Sequence, residues 1–380
     1  MAIKINNVTV VTDNEELDCS NSSIVFWTAT TATLPSSNNV DGDTVFNTDT
    51  NELMVFWNGE WVRGSGGFKA TGGNRVEQYG GRTYHIFTSP GNFEVRKGEY
   101  TTYINYCIVG GGGGGGRQGG GGGGAGQLYV SSFPDQYFSS TNNNTCVVTV
   151  GAGGAGGGGN PALGQPGGIT SLNFNPAVAA EVSCLGGGGG GSLDTSVSSS
   201  QVATPGQPGA SGGGGGAAWR QGQPGGNATP YGGRAAGQPG GSGTYGYDSY
   251  FSGGGGGSHT QRGANASGTY GGAGGYGQGV GGLIPSVGTP GPNVSFRYFA
   301  GGGAGTGWNG PTGRPAYGGG GSSTGAGNVF PAPTMQAQLP GTNALPNTGS
   351  GGGGRSWNSP GSGYSNGAAG IAILHYVTPT

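Results

Sequence analysis

Charge and long apolar runs are scarce in this 380-residue sequence. Asp, Glu, Lys and Arg make up 8 % of the residues and the formal net charge is −2, which excludes a nucleic-acid binder held by many phosphate contacts. No apolar run approaches the roughly 18 residues of a membrane-spanning helix, so membrane insertion is not expected. Hydrophobic residues make up 32 %. An ordinary globular domain has about 45 %, so a conventional enzyme core is not expected.

Residues for metal or covalent chemistry are equally scarce. The sequence has three His and four Cys, with no Cys-x-x-Cys and no metal-binding spacing around any His. The Gly-Lys-Ser/Thr of a phosphate-binding loop is missing. After Asp194 the only acidic residue is Asp248, which disfavours the paired carboxylates of a glycosidase. We therefore expect no cofactor, no metal and no enzymatic activity.

Glycine is abundant instead, and it is confined to one part of the chain. Of the 98 Gly, two lie in residues 1–63 and 96 follow. The same first segment carries nine acidic and two basic residues. This contrast predicts an acidic β-rich attachment or trimerisation domain over 1–63, a linker over 64–82 and a glycine-rich domain over 83–380.

The first domain has the pattern of short strands. Alternating or apolar runs cover Lys4–Val11, Ser23–Trp27, Thr44–Asn47 and Leu53–Trp57. Asn58-Gly59 predicts a hairpin turn after the last of them. A unit of about 60 residues buries little core by itself, so oligomerisation is expected.

A resemblance rests on residues 43–53 and 56–62, DTVFNTDTNEL and FWNGEWV. They resemble a β motif common in phage tail-fibre proteins, in which an Asn-Thr-x-Thr segment precedes an aromatic hairpin. The resemblance implies virion attachment through Phe46, Phe56, Trp57 and Trp61. The alternative is a generic hairpin whose aromatic rings stack on each other.

The glycine-rich domain is bracketed by predicted strands. Thr83–Thr88 and Asn92–Arg96 are joined by a Ser-Pro-Gly turn, Tyr103–Val109 is a strongly apolar strand, and the last strand lies within 370–377. An early Phe-Thr-x-x-Gly-x-Phe-x-Val hairpin and a closing Gly-Ile-x-Ile-x-x-Tyr strand resemble the glycine-rich domain of bacterial surface proteins and phage tail fibres.

Short Gly tracts lie between these strands. Isolated Gly runs are expected to be random coil, but polyproline-II-like helices of Gly can pack at backbone distance and bond to each other. Gly-Gln-Pro-Gly occurs four times and predicts type II turns with a positive φ at the last Gly. The expected fold class is all-β plus polyglycine-II, with strands 83–109 and 370–377 bracketing bundled Gly helices and display loops.

Recognition is expected in the loops between the tracts, because rings, Arg and small polar residues are typical of binding surfaces. The alternative for each ring is burial at the end of a Gly bundle. The candidate receptor-binding residues are Trp219, Arg220, Tyr245, Tyr247, Tyr250, Phe251, His259, Arg297, Tyr298, Trp308, Arg314 and Trp357.

These features predict a virion tail fibre or fibre-tip adhesin that binds a bacterial surface receptor, a glycan or an outer-membrane protein. Expected partners are further copies of the chain, with a homotrimer favoured, and other phage tail proteins bound through the first domain. The missing signal peptide predicts assembly in the host cytoplasm. Two alternatives are a glycine-rich cell-surface or matrix protein and, less favoured, an ice-binding polyglycine-II bundle.

Overall fold

The computed structural model of the protein describes residues 3–5, 8–11, 27–35, 39, 43–49, 52–57, 60–63, 69–96, 103–134, 145–158, 162–174, 181–194, 202–218, 221–230, 237–245, 251–268, 270–307, 318, 320–321, 342–355 and 365–378. These residues form strands, turns and extended segments, and none of them is in an α-helix. The chain folds as two compact units. The first comprises residues 1–69, 97–100 and 379–380, and the second comprises residues 70–96 and 101–378.

The first unit contains a hairpin and a small sheet. Its elements are β1 (Ile3–Ile5), β2 (Val8–Val11), β3 (Trp27–Ala29), a 3-10 helix (Thr31–Thr33), β4 (Thr44–Asn47), β5 (Glu52–Trp57) and β6 (Glu60–Arg63). β1 and β2 pair antiparallel, so the single strand predicted over Lys4–Val11 is a hairpin. Asn6-Asn7 accounts for this difference, because Asn favours turns. β3 to β6 form one sheet in sequence order.

The second unit begins with β7 and contains all later strands. They are β7 (Lys69–Thr71), β8 (Arg75–Tyr79), β9 (Arg82–Phe87), β10 (Gly91–Arg96), β11 (Tyr103–Val109), β12 (Leu128–Pro134), β13 (Thr145–Thr149), β14 (Thr170–Asn173), β15 (Glu181–Cys184), β16 (Leu193–Asp194), β17 (Val202–Ala203), β18 (Ala217–Ala218), β19 (Gln221–Gly222), β20 (Thr244–Tyr245), β21 (Phe251–Ser252), β22 (Gln278–Gly281), β23 (Phe296–Phe299) and β24 (Ile371–Val377). β7 and β8 lie within 64–82, the range predicted as a linker, and both join sheets.

Two five-stranded sheets form a sandwich. The first sheet has the order β15-β14-β13-β10-β7, and the second has the order β12-β11-β24-β9-β8. Side chains of the two sheets meet between them: the rings of His85 and Phe93 lie 5.1 Å apart, and the Thr170 hydroxyl donates to the carbonyl of Val109 at 2.7 Å. The apolar runs predicted as strands at Tyr103–Val109 and 370–377 are confirmed as β11 and β24.

The three central strands of the second sheet, β9, β11 and β24, are buried on both faces. The face away from the first sheet is covered by the β22–β23 hairpin and its connecting loop, which bring Val280, Ile284, Val287 and Phe299 into one core cluster with residues of β9, β11 and β24. Six of the seven residues of β24 are buried for this reason. A strand buried on both faces has no polar face, and this explains the continuous apolar runs in the sequence.

The hairpin predicted between Thr83–Thr88 and Asn92–Arg96 is wrong. β9 lies in the second sheet and β10 lies in the first, so the Ser89-Pro90-Gly91 turn carries the chain from one sheet to the other. The physical reason is burial. Phe87 and Phe93 are both almost fully buried in the core, and β9 finds its partners in β8 and β24.

The glycine segments extend from the sandwich and bond to each other with a period of three. Along 110–116, every third residue donates its N–H to the same neighbouring segment. The donor and acceptor pairs are Gly110–Gln127, Gly113–Gly124 and Gly116–Gly121 with one neighbour, Gly111–Gly168 and Gly114–Gln165 with a second, and Gly112–Ala368 and Gly115–Ser365 with a third. The N–H groups of this run are therefore satisfied by other parts of the chain.

Segment 120–127 is surrounded on all sides by such neighbours. It donates N–H groups to 185–191, 254–257 and 349–355, and it accepts them from 110–116, 211–214 and 303–306. The same arrangement surrounds 110–116, 212–216 and 253–258. These inner segments are almost pure Gly because a side chain would not fit. A Cβ placed on Gly123 would lie 2.0 Å from the carbonyl oxygen of Gly113.

The Gly-Gln-Pro-Gly motifs are not type II turns. Their last glycines, Gly167, Gly209, Gly225 and Gly240, are absent from the described positions with positive φ. Each motif lies inside an outer glycine segment, where one Gly per turn points inwards and Pro points outwards. Pro166, Pro208 and Pro224 are exposed, and Pro239 is half-buried. Proline lacks an N–H. It therefore suits the outward positions, where no neighbouring segment offers an acceptor.

Candidate functional site

The glycine segments have two ends, and their register identifies which residues lie at each. Gly110 and Gln127 bond at 2.9 Å next to β11 and β12, so this is the sandwich end. Gly116 and Gly121 bond at 2.9 Å at the opposite end, which we call the distal end. Bonds to these segments place Gly191, Ala217, Gly253, Thr306 and Arg355 at the distal end as well.

Three short hairpins lie at the distal end. β16 pairs with β17, β18 with β19 and β20 with β21, each antiparallel. β17 contacts β18, and β19 contacts β20, so the hairpins lie side by side. Leu193, Ala203 and Ala218 form a small buried cluster beneath them. The scaffold therefore collects loops that are far apart in sequence at one surface.

The predicted receptor-binding residues divide between the two ends. Tyr245 and Phe251 are paired across β20–β21 at the distal end. Trp219 and Arg220 follow β18, and Tyr247 and Tyr250 follow β20, but all four lie outside the described residues. Trp308, Arg314 and Trp357 also lie outside the described residues.

His259, Arg297 and Tyr298 lie at the sandwich end, away from the hairpins. The N–H of His259 donates to the carbonyl of Ala300 at 3.4 Å, directly after β23. Burial lowers the pKa of His259, and its Nδ1 has no hydrogen-bond partner among the described residues. The Tyr298 ring packs over Gly291, where an added Cβ would lie 2.3 Å from it.

Arg297 stabilises the loop that covers the second sheet. Its Nε donates to the carbonyl of Val287 at 2.7 Å, and its Nη2 donates to that of Gly288 at 3.1 Å. Burial lowers the pKa of the guanidinium. These bonds hold the backbone beside Ile284 and Val287, which belong to the core. The geometry therefore supports a structural role for this residue.

Arg297→Ala is expected to reduce the free energy of unfolding by about 1–3 kcal/mol, because two carbonyls lose a charged donor. Hydrogen exchange across 282–291 should rise with it. Chemical denaturation of the full chain measures the loss, and Arg262→Ala at an exposed position is the control. Equal stability of both variants would contradict the structural role.

The predicted attachment residues lie in the sheet of the first unit. Phe56 and Trp61 face each other across β5–β6 with ring centroids 5.4 Å apart, and the Trp61 indole donates to the carbonyl of Pro35 at 2.7 Å. Phe46 pairs with Leu53 on the other face. Trp57 ends β5, and its side chain lies outside the described part of the structure. Phe46, Phe56 and Trp61 are only partly buried.

The sequence analysis missed the turn at the distal end between 110–116 and 120–127. It consists of Arg117, Gln118 and Gly119, and the last two have φ of 58° and 74°. The Arg117 side chain is half-buried and makes no hydrogen bond or ion pair with the described residues. The available signal was the single Arg-Gln pair that interrupts the two longest Gly runs of the sequence.

The described residues offer no metal or thiol chemistry. They contain no group of three or more His, Cys, Asp or Glu that could hold an ion. Cys107, Cys146 and Cys184 are free and buried. Burial raises the pKa of Cys107 to about 12, which keeps it a thiol. In the described part of the chain, no helix is long and apolar enough to cross a membrane.

Comparison with known families agrees with this architecture. Residues 88–377 match the glycine-rich domain family, which is most of the chain. No curated protein matches the sequence. The matched range starts at the end of β9 and ends with β24, so it covers nearly all of the second unit. The chain therefore belongs to the glycine-rich domain family.

Proposed function

We propose that this chain is a phage tail-fibre protein or fibre-tip adhesin that binds a bacterial surface receptor through its distal end. The observation that carries the proposal is the collection of the three hairpins on one surface of a hydrogen-bonded scaffold. A rigid scaffold that presents loops together is a common design for recognition. The loops supply Tyr, Trp and Arg, which dominate the energy of binding surfaces.

The scaffold is proposed to be a bundle of polyglycine-II helices. Three observations support this: the period of three in the hydrogen bonds, the six neighbours of segment 120–127, and the lack of space for a Cβ at inner glycines such as Gly123. A polyproline-II-like helix has three residues per turn, so its N–H groups point in three directions in succession. Bonds to neighbouring helices then offset the high entropy cost of ordering Gly.

The first unit is proposed to attach the chain to the virion and to further copies of itself. Among its described residues the buried ones are Val45 and Asn47, and Phe46, Phe56 and Trp61 stay partly exposed. A unit of about 60 residues buries little core by itself, and association with a second chain would add to it. In a virion the expected form is a homotrimer that assembles in the host cytoplasm and carries out no reaction.

A loop replacement tests the receptor-binding proposal. We expect purified chain to adsorb to its host bacterium, and replacement of residues 246–250 by a Gly-Ser segment of equal length to reduce adsorption at least about tenfold, since anchor rings are lost. Flow cytometry of labelled protein measures this. The control replaces 231–236, which follows Thr229 near the sandwich end. Unchanged adsorption by the first variant, or an equal loss in the control, would contradict the assignment.

A further inference from the structure

The turn Arg117–Gly119 occupies the middle of the distal end. It joins 110–116 to 120–127, and both of these segments have bonded neighbours on every side. The hairpins β16–β17, β18–β19 and β20–β21 are extensions of segments that bond directly to 120–127. The carbonyl of Gly119 accepts the N–H of Ala217 in β18 at 3.0 Å. The loops proposed to bind the receptor therefore lie beside this turn.

The turn presents hydrogen-bond donors without acceptors. The N–H groups of Gly116, Arg117 and Gly120 each bond to a neighbouring segment. Those of Gln118 and Gly119 bond to no described residue, although Gly119 is buried. Buried N–H groups without a partner are rare in folded proteins, because no hydrogen bond compensates the free-energy cost of removing them from water. Successive free N–H groups in such a turn form a concavity suited to an anion.

The described side chains beside the turn carry positive charge, and the side chains of Asp194 and Asp248 lie outside the described part of the structure. The half-buried Arg117 guanidinium has no ion pair among the described residues, and Arg355 starts from the adjacent segment, its N–H donating to the carbonyl of Gly116 at 2.9 Å. The carboxylates whose side chains are described in the second unit belong to sandwich strands, namely Glu77, Glu94 and Glu181. At the distal end no described side chain supplies a negative charge to neutralise Arg117.

We infer that this turn is an anion-binding site, in which the Arg117 guanidinium and the N–H groups of Gln118 and Gly119 hold a phosphate or carboxylate group of the receptor. The planar guanidinium of Arg117 can donate to two oxygens of such a group. The N–H groups of Gln118 and Gly119 can donate to a third oxygen of a phosphate, or to one of the same two oxygens of a carboxylate. That the anionic group belongs to a bacterial receptor rests on the proposed function. The site itself depends only on the donors of the turn.

Titration with pyrophosphate tests the site on the full chain. We expect saturable binding by isothermal titration calorimetry and a shift of the Gln118 amide signal in protein labelled with ¹⁵N-Gln. Arg117→Gln should weaken binding at least about tenfold, because a charged hydrogen-bond donor is lost. Arg262→Gln, at an exposed position on an outer segment, is the matched control and should bind like the original chain. The Arg117 side chain makes no hydrogen bond or ion pair with the described residues, so both variants should melt at the original temperature.

Two outcomes would overturn the site: no saturable binding by the original chain at millimolar pyrophosphate, or equal affinity of the Arg117→Gln variant. Oligosaccharides that carry one phosphate, one carboxylate or neither group then separate the two sources of the anion, with the neutral form expected to bind weakest. These readouts use purified protein, so they stand apart from adsorption. Failure to adsorb to cells would contradict the proposed function and leave the anion site to be decided by the titration.

Discussion

Gly123→Ala is expected to lower the melting temperature of the glycine-rich unit by roughly 5–10 °C, or to prevent folding. The new Cβ would lie 2.0 Å from the carbonyl oxygen of Gly113 and 2.6 Å from its carbonyl carbon. Both atoms are backbone, so no side-chain rotation relieves the overlap. Overpacking in a core costs about 1–3 kcal/mol and more where nothing can move, and each kcal/mol lowers the midpoint by about 2–4 °C in a unit of this size.

The damage should spread beyond the substituted pair. Gly123 donates its N–H to Gly352 at 2.8 Å and accepts one from Gly303 at 2.9 Å, so moving it away from Gly113 strains bonds to two further segments. Circular dichroism during heating measures the effect. The control is Ala155→Gly on an outer segment, where Ala155 is exposed. The control should change stability by no more than about 1 kcal/mol, through the entropy of the unfolded chain.

A Gly123→Ala variant that melts with the original chain would show that the inner segments are loosely packed. That result would remove the support for the polyglycine-II bundle. A large loss in the Ala155→Gly control would also contradict the packing, because removal of an exposed methyl group affects no neighbouring segment.

Acidification from pH 7 to pH 4 is expected to destabilise the sandwich by about 3 kcal/mol through His375 alone. Burial and the nearby Arg82 guanidinium lower the pKa of His375 from 6.5 to about 4. Its ring stacks on Tyr84 at 4.7 Å, and its Nδ1 lies 3.2 Å from Nη1 of Arg82. A proton on this ring would be buried next to a positive charge.

The direction follows from the two pKa values. Above about pH 6.5 His375 is neutral in both the folded and the unfolded chain, so it causes no pH dependence there. Between pH 6.5 and 4 the unfolded chain binds the proton more tightly, and stability falls as the pH falls. Burial lowers the pKa of His85 as well, so this residue acts in the same direction.

Urea denaturation at several pH values, with and without His375→Gln, isolates the contribution of this residue. The variant should lose stability less steeply than the original chain between pH 6.5 and 4, because its side chain does not titrate. The comparison cancels the contribution of the carboxylates, which titrate in both proteins. Identical pH dependence in the two proteins would show that His375 does not carry the effect.

Runs of apolar residues predicted the strands well where a strand is buried on both faces. β11 and β24 were predicted because a strand covered on both faces is apolar throughout. Their partners could not be predicted. β9 and β10 adjoin in sequence but belong to different sheets, since β9 pairs with β24, more than 200 residues away, and β10 pairs with β13. The Gly-Gln-Pro-Gly motifs were misread as turns for a related reason: Pro followed by Gly suits both a turn and an extended outer segment.

The candidate site was predicted in part. Composition identified the loops that contain Tyr245 and Phe251, because rings and small polar residues stand out against Gly. Composition could not distinguish these loops from the segment with Arg297 and Tyr298, which is equally rich in rings and Arg. The pairing of β23 with β22 places that segment against the sandwich. Composition also passed over Arg117, since a single Arg within Gly has no local signature.

The sequence by itself determined that most of this chain must be built from backbone contacts. Ninety-eight glycines among few apolar residues leave no other way to form a core. It also located β11 and β24, because β propensity and Gly content change abruptly at the ends of these runs. The tertiary structure alone decided which loops lie together and which N–H groups remain without acceptors. Neighbouring segments in the bundle bond through backbone N–H and C=O groups, which are the same at every Gly. The sequence of a Gly segment therefore does not indicate which other segment it bonds to.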